Sequence, residues 1–308
     1  MHYFDFHTHA FTDSLAERAL SGLADTSGIT PATNGTISGL RTKMAENGIE
    51  RAMLLPVATK PTQQTVINNW AAEIMGDGLY CCGSVHPDAE DAVQEVERIK
   101  SLGLYGVKFH SEYQKFCPDE ERMFPVYEKI AELGLFAVFH GGWDPYADGD
   151  IRATPERFAR LCRNFPKLTV IAAHLGGIML WDDVEKHLAG KFDNLYMDVG
   201  VISRYIDRAQ LLRIIRTQGA EKVLFGSDCP WDEPANEIAM INELPLTDEE
   251  KELIFYKNAE KMVGENGELR NKLASACPHT RSHSQARSVS AVRRVCFRSL
   301  ALHLDMTV

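Results

Sequence analysis

Two histidines one residue apart, His7 and His9, close an apolar run that begins at Tyr3. Alternate side chains of a strand share a face, so the two imidazoles point together and Thr8 points away. Two imidazoles at the end of a rigid strand can grip one metal ion. An HxH pair is short, and alone it describes two surface histidines equally well. The residues downstream add weight. Further apolar runs end in His86, in Lys108 and His110, in His140, in His174, in Asp198 and in Asp228. Polar groups at the tips of so many apolar runs do not suit a purely structural core, because burying them unpaired is costly. Histidine with carboxylate is the usual ligand set for zinc and other divalent first-row metals, and a catalytic site leaves one position open for water or substrate. An ion held that way lowers the pKa of its water and polarises a carbonyl, and a further His or Asp can shuttle the proton.

The elements that must position these residues form an alternation. β-rich runs at 3–7, 51–57, 79–85, 104–110, 135–140, 168–174, 194–199 and 222–227 are separated by stretches of helical period such as Asp91 to Leu102 and Glu120 to Leu133. Helix starts are marked by Thr154-Pro155-Glu156, by Asp207, and by Thr247 to Glu250. Strands alternating with helices mean βαβ units and a parallel sheet. Eight units in sequence predict an α/β fold, a single closed (β/α)8 TIM barrel over residues 1–263. The rival is an open doubly wound sheet, which favours a Gly-rich phosphate turn after the first strand. His7-Thr8-His9 stands there instead.

Composition is that of an ordinary globular chain, and a net charge of -10 argues against a nucleic-acid footprint. No apolar run approaches the roughly 20 residues of a membrane span, and no secretory signal is read at the start. The seven cysteines form no CxxC pair and read as thiols of a reducing compartment, so the expected location is the cytoplasm. Residues 264–308 are expected to be a poorly ordered basic tail. Beyond Gly264 the acids are Glu265, Glu268 and Asp305, against Arg270, Lys272, Arg281, Arg287, Arg293, Arg294 and Arg298. A basic arm for an anionic partner and a non-native segment are the other readings of that tail.

Phe6-His7-Thr8-His9, His140, His174-Leu175-Gly176-Gly177 and Gly226-Ser227-Asp228-Cys229-Pro230-Trp231, in this order along the barrel strands, resemble the amidohydrolase superfamily, more narrowly its amidohydrolase-2-type branch of metal-dependent hydrolases. The resemblance covers about residues 1 to 263. It implies that His7, His9 and His140 bind the metal. Asp228 would complete the shell or serve as acid/base against the bound water. His174 would hold a second metal or, with one metal, activate the water. One divalent ion is expected, zinc before manganese or iron, with a second allowed. Lys108 occupies a place where some superfamily members carry a metal-bridging carboxylated lysine. With one metal it would instead contact an anionic substrate. His110 shares its face and is a candidate contact to substrate or metal.

Trp143 is a candidate pocket wall, with buried packing as the alternative, and Asp144 and Asp148 lie on the same loop. His86 reads as a backbone hydrogen-bond partner, and Cys229 as neither nucleophile nor ligand. The expected function is a metal-dependent hydrolase of an amide, lactone or ester bond in a small carboxylate-bearing substrate, by metal-activated water. The alternatives are a metal-dependent non-oxidative decarboxylase of an unsaturated or aromatic carboxylate and, behind it, a non-catalytic metal-binding scaffold. The expected partner is the small-molecule substrate, without nucleic acid or membrane. A homodimer is compatible with the sequence.

Overall fold

The structure is a computed structural model that describes residues 1–145 and 149–264. Strand pairings among the named strands are parallel and fall in two ladders. One ladder holds β1 (Phe4–Thr8), β2 (Arg51–Leu54) and β3 (Leu79–Cys81). The other holds, in order, β4 (Gly83–Ser84), β5 (Gly106–Phe109), β6 (Phe136–Phe139), β7 (Thr169–Ala172), β8 (Leu195–Asp198) and β9 (Val223–Leu224). Main-chain hydrogen bonds cross both gaps between the ladders. Tyr105 N–H reaches Cys81 O at 3.0 Å on one side. On the other side Phe6 N–H donates to Phe225 O at 2.8 Å, Asp228 N–H to His7 O at 2.8 Å and His9 N–H to Cys229 O at 2.7 Å. The expected α/β barrel is therefore the fold of the described residues.

Each expected strand is present, with small changes at the ends. β2 stops at Leu54, two residues before Pro56, whose nitrogen has no hydrogen to donate to a ladder. The run 79–85 is expected as one strand and is found as two, β3 and β4, parted at Cys82. The Asn68 side chain explains the break. It accepts from Ser84 N–H at 2.8 Å and donates to Ser84 O at 3.0 Å, taking the place of a neighbouring strand. Asp207 caps the helix Arg208–Gln218 by accepting from Ala209 and Gln210 N–H, and Thr247 with Glu250 forms a capping box. Leu253–Lys257 forms a π-helical turn, and the chain stays helical through 264.

Two apolar layers hold the strands. Phe4, Phe6, Met53, Leu55, Phe136, Val138, Ile171 and Leu224 pack together as one cluster, joined by Met262 and Val263 from the helical stretch that runs to 264. The other strand faces pack with the surrounding helices, for example Val107 and Phe109 with Tyr127 and Ile130. The register of β1 on β2 slips between Asp5, opposite Ala52, and Thr8, opposite Leu54. Three steps on one strand match two on the other, which is a bulge, a feature found where a strand re-aims a side chain. The expected tail lies outside the described residues apart from Gly264, as does Asp148. No helix among the described residues is long and apolar enough to cross a membrane.

Candidate metal centre

The strand ends bring eight titratable side chains together: His7, His9, Lys108, His110, His140, His174, Asp198 and Asp228. All are buried except His9, whose side chain is 15% exposed. His7 Nε2 and His9 Nε2 lie 3.2 Å apart. Asp228 Oδ1 lies 3.4 Å from the first and 3.1 Å from the second. Thr8 turns away and donates to Met53 O at 2.9 Å. His174 Nε2 meets His140 Nδ1 at 3.0 Å. His7, His174 and Asp228 each place a ligand atom within 4.8 Å of the others, so the two groups adjoin.

The partners of the outer ring nitrogens fix which nitrogen is bare. His7 Nδ1 lies 2.8 Å from Asp198 Oδ2, and His174 Nδ1 lies 2.9 Å from Gly200 O. A carboxylate and a carbonyl can only accept, so each Nδ1 carries the proton and each Nε2 presents a lone pair. Burial, followed by the Lys108 charge, pushes His7 down to about 4 against the pull of Asp198 and Asp228, so its ring is neutral around pH 7. For the Asp228 carboxyl, burial acts upward but the rings of His7, His9 and His174 outweigh it and hold the group well below the usual carboxylate range. Asp228 Oδ1 and His140 Nε2 are enclosed and lack a well-directed hydrogen bond. Imidazole nitrogens of His7 and His9 converging on an enclosed, ionised Asp228 oxygen are a donor set that suits a divalent cation.

Asp198 is the residue whose role the sequence does not reveal. Besides His7 Nδ1, it accepts from the main-chain N–H of His174 and of Gly200, each at 3.0 Å. Burial raises its pKa, while His7 and His174 pull it further down, to a net value well below the usual range. A carboxylate behind a ligating imidazole fixes the tautomer and the ring direction. Asp198→Ala is expected to weaken zinc binding about 10–100-fold, measured by competition with a chromogenic chelator.

Backbone strain gathers at the same strand ends. His174, Leu175 and Asp228 have φ of +58°, +56° and +61°. A left-handed residue other than Gly costs roughly 1–2 kcal/mol and persists where its surroundings hold it. Gly226 has a steric role, because a Cβ there would stand 2.7 Å from His7 Cβ.

Lys108 is fully enclosed, with Nζ 3.3 Å from His7 Nε2. Burial pushes its pKa down against the pull of Asp198 and Asp228. It stands within the ligand cluster, not at the rim. His110 lies flat between Tyr113 (3.6 Å, 3°) and His140 (4.2 Å, 10°), with Nε2 3.5 Å from Asp144 Oδ2. Ligand atoms of His110, His140 and Asp144 also lie within 4.8 Å of one another. The two stacked imidazoles have parallel in-plane lone pairs, which cannot both be aimed at one ion, so this trio is not read as a metal site. Trp143 is 40% exposed, which sets aside buried packing, and its main-chain N–H donates to Ile178 O at 3.0 Å. The loop residue that reaches the cluster is the neighbouring Asp144. His86 Nδ1 accepts from Asp88 N–H at 3.1 Å, a backbone bond of the expected kind. Cys229 is an enclosed free thiol pushed up by burial, a poor nucleophile.

A search of curated protein sequences finds no match. Among solved structures, an uncharacterised TIM-barrel protein from Bordetella bronchiseptica superposes with a TM-score of 0.72 at 19% identity, covering 87% of this chain and 100% of that one. A dihydroxybenzoic acid decarboxylase from a Polaromonas species, with bound manganese and the inhibitor 2-nitroresorcinol, gives 0.64 at 16%, covering 86% and 97%. A probable 2-pyrone-4,6-dicarboxylic acid hydrolase from Acinetobacter baumannii, with citric acid bound, gives 0.61 at 16%, covering 86% and 100%. At such identities these likenesses speak for the fold. The sequence profile of the amidohydrolase family matches residues 4–264, and the chain belongs to that family.

Proposed function

We propose that the chain is a metal-dependent hydrolase that opens an amide, lactone or ester bond in a small carboxylate-bearing substrate. The observation that carries this reading is the meeting of His7 Nε2, His9 Nε2 and an enclosed Asp228 oxygen within 3.4 Å of one another. Those three residues would hold the cation, with His140 and His174 beside them. Zinc is the first expectation, because imidazole and carboxylate donors suit it. A divalent ion there would acidify a coordinated water and polarise the substrate carbonyl. Asp198 keeps His7 in the ligating tautomer. Asp228, ionised at rest, can accept a proton at the oxygen that does not face the ion and pass it to the leaving group. His174, with Nδ1 committed to Gly200 O, keeps Nε2 for the ion or the water.

A site that rests with its Asp228 carboxylate ionised and the His7 and His140 rings pushed down by burial begins as a base. Base-first chemistry suits attack by water. Non-oxidative decarboxylation needs a proton delivered to carbon, and so an acid that is loaded at the start. The Polaromonas relative supports that second reading, and an assay separates the two. The zinc-loaded protein is offered carboxylated lactones and hydroxybenzoates, and ring opening and carbon dioxide release are followed together. Ring opening without carbon dioxide is the expected result, and carbon dioxide release alone would transfer the site to the decarboxylases.

Lys108, an enclosed cation beside the ligands, supports an anionic substrate. Lys108→Met is expected to raise KM by about 10–100-fold, the range of one charged hydrogen bond, with a smaller change in kcat. A lower metal content in this variant would assign Lys108 to the metal instead.

A further inference from the structure

Asp5 is enclosed two residues before His7 and takes no part in the chemistry proposed above. Its carboxylate gathers donors from β1 and from the neighbouring segment that follows β9. Oδ1 accepts from Ser227 N–H at 2.9 Å and from His7 N–H at 3.2 Å. Oδ2 accepts from the Ser227 hydroxyl at 2.5 Å. The Ser227 oxygen in turn accepts from Cys229 N–H at 3.0 Å. One carboxylate therefore ties the main chain that carries His7 to the main chain on both sides of Asp228, although Asp5 and Ser227 are 222 positions apart in sequence.

Two features make that tie matter to the site. Asp228 is left-handed at φ +61°, a conformation that aspartate reaches more readily than most residues but at some cost. Its Oδ1 must also meet nitrogens carried by another strand, at 3.1 and 3.4 Å. A shift of a few tenths of an ångström between β1 and the end of β9 would open that spacing. Three main-chain bonds resist such a shift, Phe6 N–H to Phe225 O at 2.8 Å, Asp228 N–H to His7 O at 2.8 Å and His9 N–H to Cys229 O at 2.7 Å, and the side-chain bonds of Asp5 and Ser227 add to them.

We propose that Asp5 and Ser227 form a positioning clamp that sets the spacing between His7, His9 and Asp228, and through it the affinity for the divalent ion. The inference rests on the metal-centre reading given above. It assigns Asp5 no contact with ion or substrate. The effect therefore belongs in cation affinity, and it depends on the shape of the residue at position 5. Asn reproduces that shape, because its carbonyl oxygen can accept from Ser227 and His7 N–H while its amide donates to the Ser227 hydroxyl.

The test is a zinc and manganese titration of the full chain by chelator competition, with a thermal melt of each apo protein beside it. Asp5→Ala is expected to weaken binding of both ions about 10–100-fold, as losses behind a ligand do, and Asp5→Asn to stay within about threefold of the parent. Ser227→Ala leaves Asp5 in place and removes only the hydroxyl bonds. It serves if Asp5→Ala fails to fold, and it is expected to weaken binding about tenfold. A purely structural role would lower the melting temperature and leave the affinities where they are, which overturns the clamp. Equal loss in Asp5→Asn and Asp5→Ala also overturns it, since the shape would then be irrelevant. A parent chain that takes up neither ion contradicts the metal centre itself, and the clamp falls with it.

Discussion

His7→Ala is expected to leave a folded chain with neither its metal nor its activity. His7 Nε2 meets His9 Nε2, Asp228 Oδ1 and Lys108 Nζ within 3.4 Å, so removing the ring takes away the shared point of the centre. Losing an ion that supplies about 4 kcal/mol of transition-state stabilisation lowers the rate on the order of a thousandfold. The fold should lose far less. Asp198 would forfeit its partner at Nδ1 but keep the N–H groups of His174 and Gly200, so a cost of about 1–3 kcal/mol is expected. His7→Asn is the companion variant. Its amide can still donate to Asp198, so it should melt closer to the parent while lacking the ligating nitrogen. Metal analysis of the purified proteins, with a melt of each, reads both effects. An ion retained at the parent's stoichiometry in His7→Ala would remove His7 from the ligand set.

Asp228→Asn should strike turnover harder than binding. The exchange keeps shape and removes charge. Asn tolerates a left-handed backbone well, so φ of +61° should survive and the neighbouring turn with it. What goes is an ionised oxygen able to take a proton from water and release it to the leaving group. General acid–base steps of this kind contribute about 10²–10⁴-fold, and kcat is expected to fall by that factor. KM should change by a much smaller factor, because the proton transfer matters in the transition state and not in the bound ground state. A weaker hold on the ion is a second consequence, so the kinetics are to be measured at saturating zinc. An unaltered kcat under those conditions would exclude Asp228 from proton transfer.

The alternation of apolar runs and amphipathic stretches was enough to read the barrel, because each strand of such a sheet is buried on both faces and shows as a continuous apolar segment. The caps at Asp207 and Thr247 were legible for a similar reason, since a cap is a local interaction. The break at Cys82 was not, because it depends on the Asn68 side chain reaching Ser84 from another element. The convergence of His7, His9, His140, His174 and Asp228 followed from their places at strand ends. The supporting carboxylates were a different matter. Asp198 serves His7 across 191 positions and Asp5 serves Ser227 across 222, and no spacing along the chain records either pairing. Lys108 shows the same limit. The alternation of β5 puts it on the face of His110, but its place 3.3 Å from His7 Nε2 is a contact between strands 101 positions apart that no local pattern records.

The most direct measurement is crystallographic. Crystals of the zinc-loaded chain, with diffraction recorded on either side of the zinc absorption edge, would locate the ion by its anomalous signal. The account predicts a peak about 2.0–2.2 Å from His7 Nε2, His9 Nε2 and an Asp228 oxygen. An ion bound elsewhere, or a zinc-saturated crystal with no peak between those three side chains, would contradict it.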